Sequence, residues 1–162
     1  MVTRDGATEL GRRVTITGTR SIGEPDRERV DSLFEAYLRP FADAGTLFHV
    51  GGAVGIDTFA LSWLCDRTNS ELCVVVPCTV TDQPAEAAAA ISACRRAGRL
   101  VDVVELRADA LGGAAYHARN RWMVDRSELV IGFPRGTNQA QGTWYTLNYA
   151  AEQGKPRLVV PL

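Results

Sequence analysis

The stretch HARNRWMVDRSELVIGFPRGTNQAQGTWYTLNYAAEQGKP, residues 117–156, decides how this chain is read. It starts as a helix carrying Arg119 and Arg121 and runs into a short apolar segment, 129–133, that reads as a buried strand. A loop rich in Gly, Thr and Gln follows, and a second helix begins near Gly142 and Thr143. A strand, a glycine loop and a helix start, in that order, leave backbone N–H groups free to hold an anion. Neighbouring arginines can add charge-assisted bonds to the same anion.

The same unit recurs upstream. Residues 13–17, RVTIT, are β-branched and end in Gly18-Thr19-Arg20-Ser21. Pro25-Asp26 then opens a helical pattern with Val30, Leu33, Phe34, Tyr37, Leu38 and Phe41 on one face, which Pro40 must kink or end. Residues 46–50, TLFHV, run into Gly51-Gly52-Ala53-Val54-Gly55-Ile56-Asp57, and a helix follows with Phe59, Ala60, Trp63 and Leu64 at core spacing. The near-continuous apolar run 71–76 suits a central parallel strand covered on both faces. An alanine-rich helix at 83–97, C-capped by Gly98, precedes a fourth strand at 100–106. Gly112-Gly113 leads into the Arg119 helix, and residues 157–160 supply a last short strand.

Six strands with a helix after each of the first five predict an α/β fold: one mainly parallel sheet with helices on both faces, three layers in all. In such sheets ligands sit beyond the carboxyl ends of the strands. The glycine loops after strands one, two and five all belong to that edge. Residues 1–11 read as a flexible N-terminal tail, and residues 12–162 as the domain.

Bulk composition narrows the function. The chain has 162 residues, enough for one domain with a two- or three-layer core. Its longest uncharged apolar run, 72–77, is far too short to span a bilayer, and MVTRDGATELGRR has no apolar signal-peptide core. A cytoplasmic location and no membrane partner are expected. Cys65, Cys73, Cys78 and Cys94 form no CxxC pair and have no His at ligand spacing, so they read as reduced structural thiols, with no metal site. The net charge is −1, from 18 basic and 19 acidic side chains. A protein living off the DNA backbone is usually basic, so a small anionic ligand is the easier hypothesis.

Gly18-Thr19-Arg20-Ser21 reads either as a plain turn capped by Ser21 or as a phosphate contact with Arg20 as charge partner. Gly51, Gly52 and Gly55 give GGxxG rather than GxGxxG, and no acidic residue stands where a dinucleotide site needs one. No cofactor is expected. Asp57 reads equally as a first-turn helix carboxylate or as an acceptor for ribose. Arg121 and Asp125 stand at ion-pair spacing, which leaves Arg119 either solvated or pointing over the sheet edge toward a phosphate. His117 reads as a half-buried helix residue. The loop Gly136-Thr137-Asn138-Gln139-Ala140-Gln141 has no carboxylate or thiol, so it suits hydrogen bonding rather than acid–base work. Thr143 reads as an N-cap, compatible with an anion at the same helix end. Trp144 and Tyr145 either stack a base or pack.

These motifs resemble the Rossmann-like superfamily that unites the DNA-processing protein A (Smf) proteins with the lonely-guy phosphoribohydrolases. TGTR at 17–20 is similar to the GSR turn of the DNA-processing proteins, and GGAVGID at 51–57 to their GxAxGID loop. RNR at 119–121 matches their RNR, and GTWYTLNYAAEQGKP at 142–156 resembles their GSLITARLAAEQG helix. The segment from His117 through Met123, then 128–134, follows the lonely-guy pattern HxRKxxM…DAFIALPGG, with Arg119 on that family's functional arginine and Asn120 replacing its lysine. Thr146 stands where the catalytic glutamate of PGGxGTxxE would be.

The resemblance implies a short, stand-alone Rossmann-like domain that binds a nucleotide or nucleotide-derived ligand, and it implies a homodimer. Phosphate is expected against the Thr143 helix start and the Gly51–Gly55 loop, with Arg20 and Arg119 as charge partners. Gly18, Thr19, Ser21, Asp57, Asn120, Gly136, Thr137 and Gly142 complete the candidate site. Two alternatives stay open. One is a nucleoside 5'-monophosphate phosphoribohydrolase, for which Arg119 is the best catalytic candidate. The other is a single-stranded DNA-binding module.

Overall fold

The computed structural model describes residues 12–162, so the expected tail lies outside the described residues. Eleven principal elements alternate without exception: β1 (Arg13–Gly18), α1 (Arg27–Tyr37), β2 (Leu47–Gly51), α2 (Ile56–Arg67), β3 (Glu71–Val76), α3 (Ala85–Arg96), β4 (Leu100–Glu105), α4 (Gly113–Asp125), β5 (Leu129–Phe133), α5 (Gly142–Glu152) and β6 (Arg157–Val159). The six strands form one sheet in the order β4-β3-β2-β1-β5-β6, and every pairing is parallel. The protein is a three-layer, Rossmann-like α/β fold.

Strand alternation explains the layers. Val14 and Ile16 of β1, Phe48 and Val50 of β2, and Leu72, Val74 and Val76 of β3 share one core with α1, α2 and α3. Cys73 and Val75, the residues of opposite parity on β3, pack instead against Met123 and Trp122 of α4, and Val130 against Leu147 and Ala150 of α5. A strand buried on both faces has to be apolar at both parities, and the run 71–76 is.

Some local expectations change. Tyr37 is 39% exposed rather than part of the buried face of α1, because that helix ends there and the chain passes into a short 3₁₀ turn, Arg39–Phe41, around Pro40. Ser21 does not cap α1. A 3₁₀ turn, Glu24–Asp26, precedes the helix, and the Asp26 carboxylate accepts the Gly23 N–H at 3.1 Å. Gly98 does follow α3 in the left-handed region, at φ +69°.

The four cysteines are free thiols; Cys73, Cys78 and Cys94 are buried, and burial pushes Cys94 up to about 12. Among the described residues no helix is long and apolar enough to cross a membrane, and no group of His, Cys, Asp and Glu could hold a metal ion.

The topology fixes where a ligand can sit. From β1 the chain works outward through β2 and β3 to β4, then returns across the sheet to β5 on the other side of β1. The connections after β1 and after β5 therefore diverge, and such a divergence opens a crevice at the carboxyl ends of the strands.

Candidate anion-binding pocket at the strand switch point

A cavity of about 340 Å³ occupies that crevice. Gly18, Thr19, Arg20 and Ser21 border it from the end of β1, Asp57 from the first turn of α2, Arg119 and Asn120 from α4, and Gly142 and Thr143 from the start of α5. Nine candidate residues from four separate segments thus meet around one space. Gly51, Gly52, Gly55, Gly136 and Thr137 do not border it.

The first loop is held from both sides. Thr19 N–H donates to the Phe133 carbonyl on β5, and the Thr19 carbonyl accepts Ile56 N–H from α2, each at 3.0 Å. Ser21 N–H donates to Thr19 Oγ1 at 3.1 Å. The loop therefore keeps its shape with Arg20 projecting from its tip. Arg20 is exposed, lies over the Tyr116 ring at 4.2 Å, and has no anionic partner among the described residues. It is the accessible cation of the pocket.

The glycines outside the cavity shape it by absence. Gly55 has φ +80°, and a Cβ there would collide with the Thr19 carbonyl and lie 2.7 Å from Arg20 Cα. Only glycine lets α2 start so close beneath the first loop. Gly51 ends β2 directly below two charged side chains, and its Cβ would lie 2.6 Å from Asp57 Oδ2 and 2.7 Å from Arg119 Cζ. Gly52 abuts Val76 on β3. Gly136 and Thr137 lie in the exposed loop after β5.

Arg119 is neither solvated nor free. It is 3% exposed, donates from Nε to Asn120 Oδ1 at 2.7 Å and from Nη1 to the Val75 carbonyl at 3.4 Å, and reaches over the strand ends toward Asp57. Asp57 is 7% exposed and accepts the Ala53 N–H on Oδ2 at 3.3 Å. Burial raises its carboxyl to about 6, against the opposing pull of the Arg119 charge. Asp57 is thus both a first-turn helix carboxylate and a wall of the pocket.

Three expectations on α4 and α5 change. Arg121 does not pair with Asp125; it donates to Tyr145 Oη at 2.6 Å, while Asp125 accepts the Tyr149 hydroxyl. Both side chains turn from their own helix to a tyrosine hydroxyl on the facing one. Thr143 is not the N-cap: α5 begins at Gly142, so Gln141 holds that position, and its side chain makes no capping bond. The first-turn N–H groups beside the pocket thus keep their positive end uncapped by a side chain. Tyr145 does not offer an open face to the cavity. It stacks on His117 at 3.7 Å and 8°, and His117 is the ring that borders the cavity. Trp144 packs by donating from Nε1 to the Gly136 carbonyl at 3.0 Å.

Sequence reasoning missed Tyr116, Gln141 and Ala53 as wall residues. Tyr116 carries a readable signal, since it precedes Arg119 by three and so shares its helix face. Ala53 and Gln141 carry none. Thr146, the position of the glutamate in the phosphoribohydrolase pattern, is fully buried, bonds to the Gly142 carbonyl of its own helix at 2.9 Å, and does not border the pocket.

The fold and site define a class: a parallel Rossmann-like domain with an arginine-bearing pocket at its strand switch point. The chain belongs to the DNA recombination-mediator protein A family, whose family model matches residues 4–162. Its fold is similar to that of DNA processing protein A from Helicobacter pylori, a protein described for a unique single-stranded DNA binding mode. The two share 22% identity at a TM-score of 0.68, over 97% of this chain and 70% of that one. It is also similar to DNA processing protein A from Streptococcus pneumoniae, with 13% identity and a TM-score of 0.52, over 92% of this chain and 59% of that one. A search of curated proteins finds no match.

Proposed function

We propose that this chain binds single-stranded DNA by holding one nucleotide unit in the pocket between β1, α2, α4 and α5. Family membership supports the polymer, and the cavity supports the size of the unit it admits. About 340 Å³ lies at the small end of ligand pockets, room for one nucleotide and not for a run of bases. In this reading the phosphate sits between Arg20 and the uncapped start of α5, where Gly142 and Thr143 present backbone N–H groups.

The observation that carries the proposal is Arg20. An exposed arginine without an anionic partner, on a loop pinned to two other elements, is a preorganised anion contact. Arg20→Ala is expected to weaken binding of a fluorescein-labelled thymidine oligonucleotide about tenfold or more, measured by anisotropy, with the melting temperature unchanged because Arg20 is exposed. Unchanged affinity in that variant would remove the pocket from the function.

A free mononucleotide is the second reading, favoured by the net charge of −1, which provides little attraction for a long polyanion. Competition separates the two. If a nucleoside monophosphate displaces the oligonucleotide at equal concentration of phosphate groups, the mononucleotide is the ligand. Hydrolysis of an N-glycosidic bond is not part of the proposal, because the position of the expected glutamate is buried away from the cavity.

A further inference from the structure

The pocket holds a charge that a phosphate site does not need. Asp57 borders the same cavity as Arg20, and its carboxylate is more than nine-tenths buried. Among the described residues its single hydrogen bond goes to Oδ2, which leaves Oδ1 without a partner. Arg119 is in the same position: Nε and Nη1 are taken, and Nη2 donates to nothing among the described residues. Among the described residues the side-chain atoms sealed from solvent without a partner are Trp63 Nε1 and the Gln83 amide atoms, so Asp57 Oδ1 and Arg119 Nη2 are not sealed in, and both residues line the cavity.

A carboxylate repels phosphate, so the two cannot share one end of the pocket. The phosphate belongs with Arg20 and the α5 start, and a different part of the ligand must meet Asp57. An acceptor with its lone pairs open, beside a donor with its N–H open, is complementary to a neutral polar group and not to an anion. We propose that Asp57 Oδ1 and Arg119 Nη2 form an acceptor–donor pair that reads an N–H or O–H group on the nucleotide whose phosphate the pocket holds. This inference rests on the pocket being the nucleotide site proposed above.

Gly51 supports the assignment. Its missing side chain is what lets the two charged groups approach over the end of β2. Arg119 is also fastened at two points to Asn120 and Val75, so the pair is fixed before a ligand arrives. Sites built to hydrogen-bond a donor discriminate strongly against analogues that lack it, because a buried acceptor is then left unpaired. Two sources could supply the donor: the amino or imino edge of a base, or the 3′-hydroxyl of a free mononucleotide or strand end, since a deoxynucleotide inside a strand carries no sugar hydroxyl.

Calorimetric titration with methyl phosphate, 2-deoxyribose 5-phosphate, dTMP and dGMP tests the pair in wild type and in Asp57→Asn. Wild type should bind at least one donor-bearing ligand about tenfold or more tighter than methyl phosphate. A gain already present with 2-deoxyribose 5-phosphate assigns the donor to a sugar hydroxyl, and so to a free mononucleotide or strand end, and a gain confined to dTMP or dGMP assigns it to the base. In Asp57→Asn, methyl phosphate should bind more tightly, since a like charge is gone, while the donor-bearing ligand should lose affinity. Opposite signs identify a reader, because general damage to the pocket would weaken both ligands. Equal wild-type affinity for all four ligands overturns the inference, and so does a shift of both ligand classes in one direction by one factor. The wild-type series does not depend on the variant folding. If the inference fails while Arg20→Ala still weakens oligonucleotide binding, the nucleotide site stands without this reader. If Arg20→Ala has no effect, the site itself falls.

Discussion

Asp57 and His49 are both buried, and burial moves their protons in opposite directions. Asp57 is raised from 3.8 to about 6 and His49 is lowered from 6.5 to about 4, in each case chiefly because burial disfavours the charged form. A raised carboxyl holds its proton more tightly in the folded state. Its contribution, about 3 kcal/mol, is therefore complete below about pH 4 and lost as pH rises through about 6. A lowered histidine works the other way. Its contribution, also about 3 kcal/mol, is complete above about pH 6.5 and lost as pH falls through about 4. The two slopes oppose each other over the same window, so wild-type stability should be nearly flat there. Asp57→Asn should uncover the histidine slope, with the urea midpoint rising with pH, and His49→Gln should uncover the falling one. Parallel profiles for wild type and Asp57→Asn would show that Asp57 titrates in the fold as it does in the unfolded chain.

Between elements, the decisive contact is that of α2 with the loop after β1. Gly55 stands in the left-handed region with its Cα against the backbone of Thr19 and Arg20. Gly55→Ala combines backbone strain with a collision against atoms that cannot rotate away, and should cost about 2–4 kcal/mol. Because the Thr19–Ser21 loop is what must move, oligonucleotide binding should fall with stability. Gly113→Ala is the contrast. That glycine is helical, and a Cβ there meets nothing within 4 Å. The substitution should raise stability by about 0.5–1 kcal/mol, because alanine loses less backbone freedom in a helix. Denaturant midpoints for the two variants should move in opposite directions. Helix pairing also explains why Arg121 takes a partner outside its own helix. Sequence spacing offers it Asp125 on its own helix, but α5 packs alongside and brings Tyr145 within 2.6 Å.

For the molecule as a whole, the charge distribution limits how much nucleic acid can be held. Arg20 and Arg119 are the cationic side chains that border the pocket, in a chain of net charge −1. Neutralising one or two phosphates predicts a log–log salt slope of roughly −1 for a single strand. A slope steeper than about −4 would mean an extended basic groove, and the single-nucleotide reading would be wrong. The switch point is also a property of this scale: β1 lies centrally with the chain leaving it on both sides, so any ligand is directed to its carboxyl end.

Local chemistry carries most of the architecture. Apolar β-branched runs alternating with helical periodicity were enough for the six parallel strands, and glycine after a strand marked which edge would be open. Gly18 to Ser21 and Gly142 with Thr143 are legible for that reason, and Arg119 with Asn120 from the RNR motif at 119–121. Their partners were not. That Arg119 would face Asp57 instead of solvent depends on Gly51 lacking a side chain on a neighbouring strand, and on α4 reaching over the strand ends. That Thr143 would leave the cap position to Gln141, and that His117 would border the cavity with Tyr145 behind it, depends on how α4 and α5 meet. Propensity and periodicity act over a few residues and are written in the order of the chain. Burial, charge pairing and pocket shape arise where segments 60 or more residues apart come within a few ångströms, as Asp57 and Arg119 do, and only the tertiary structure brings them together.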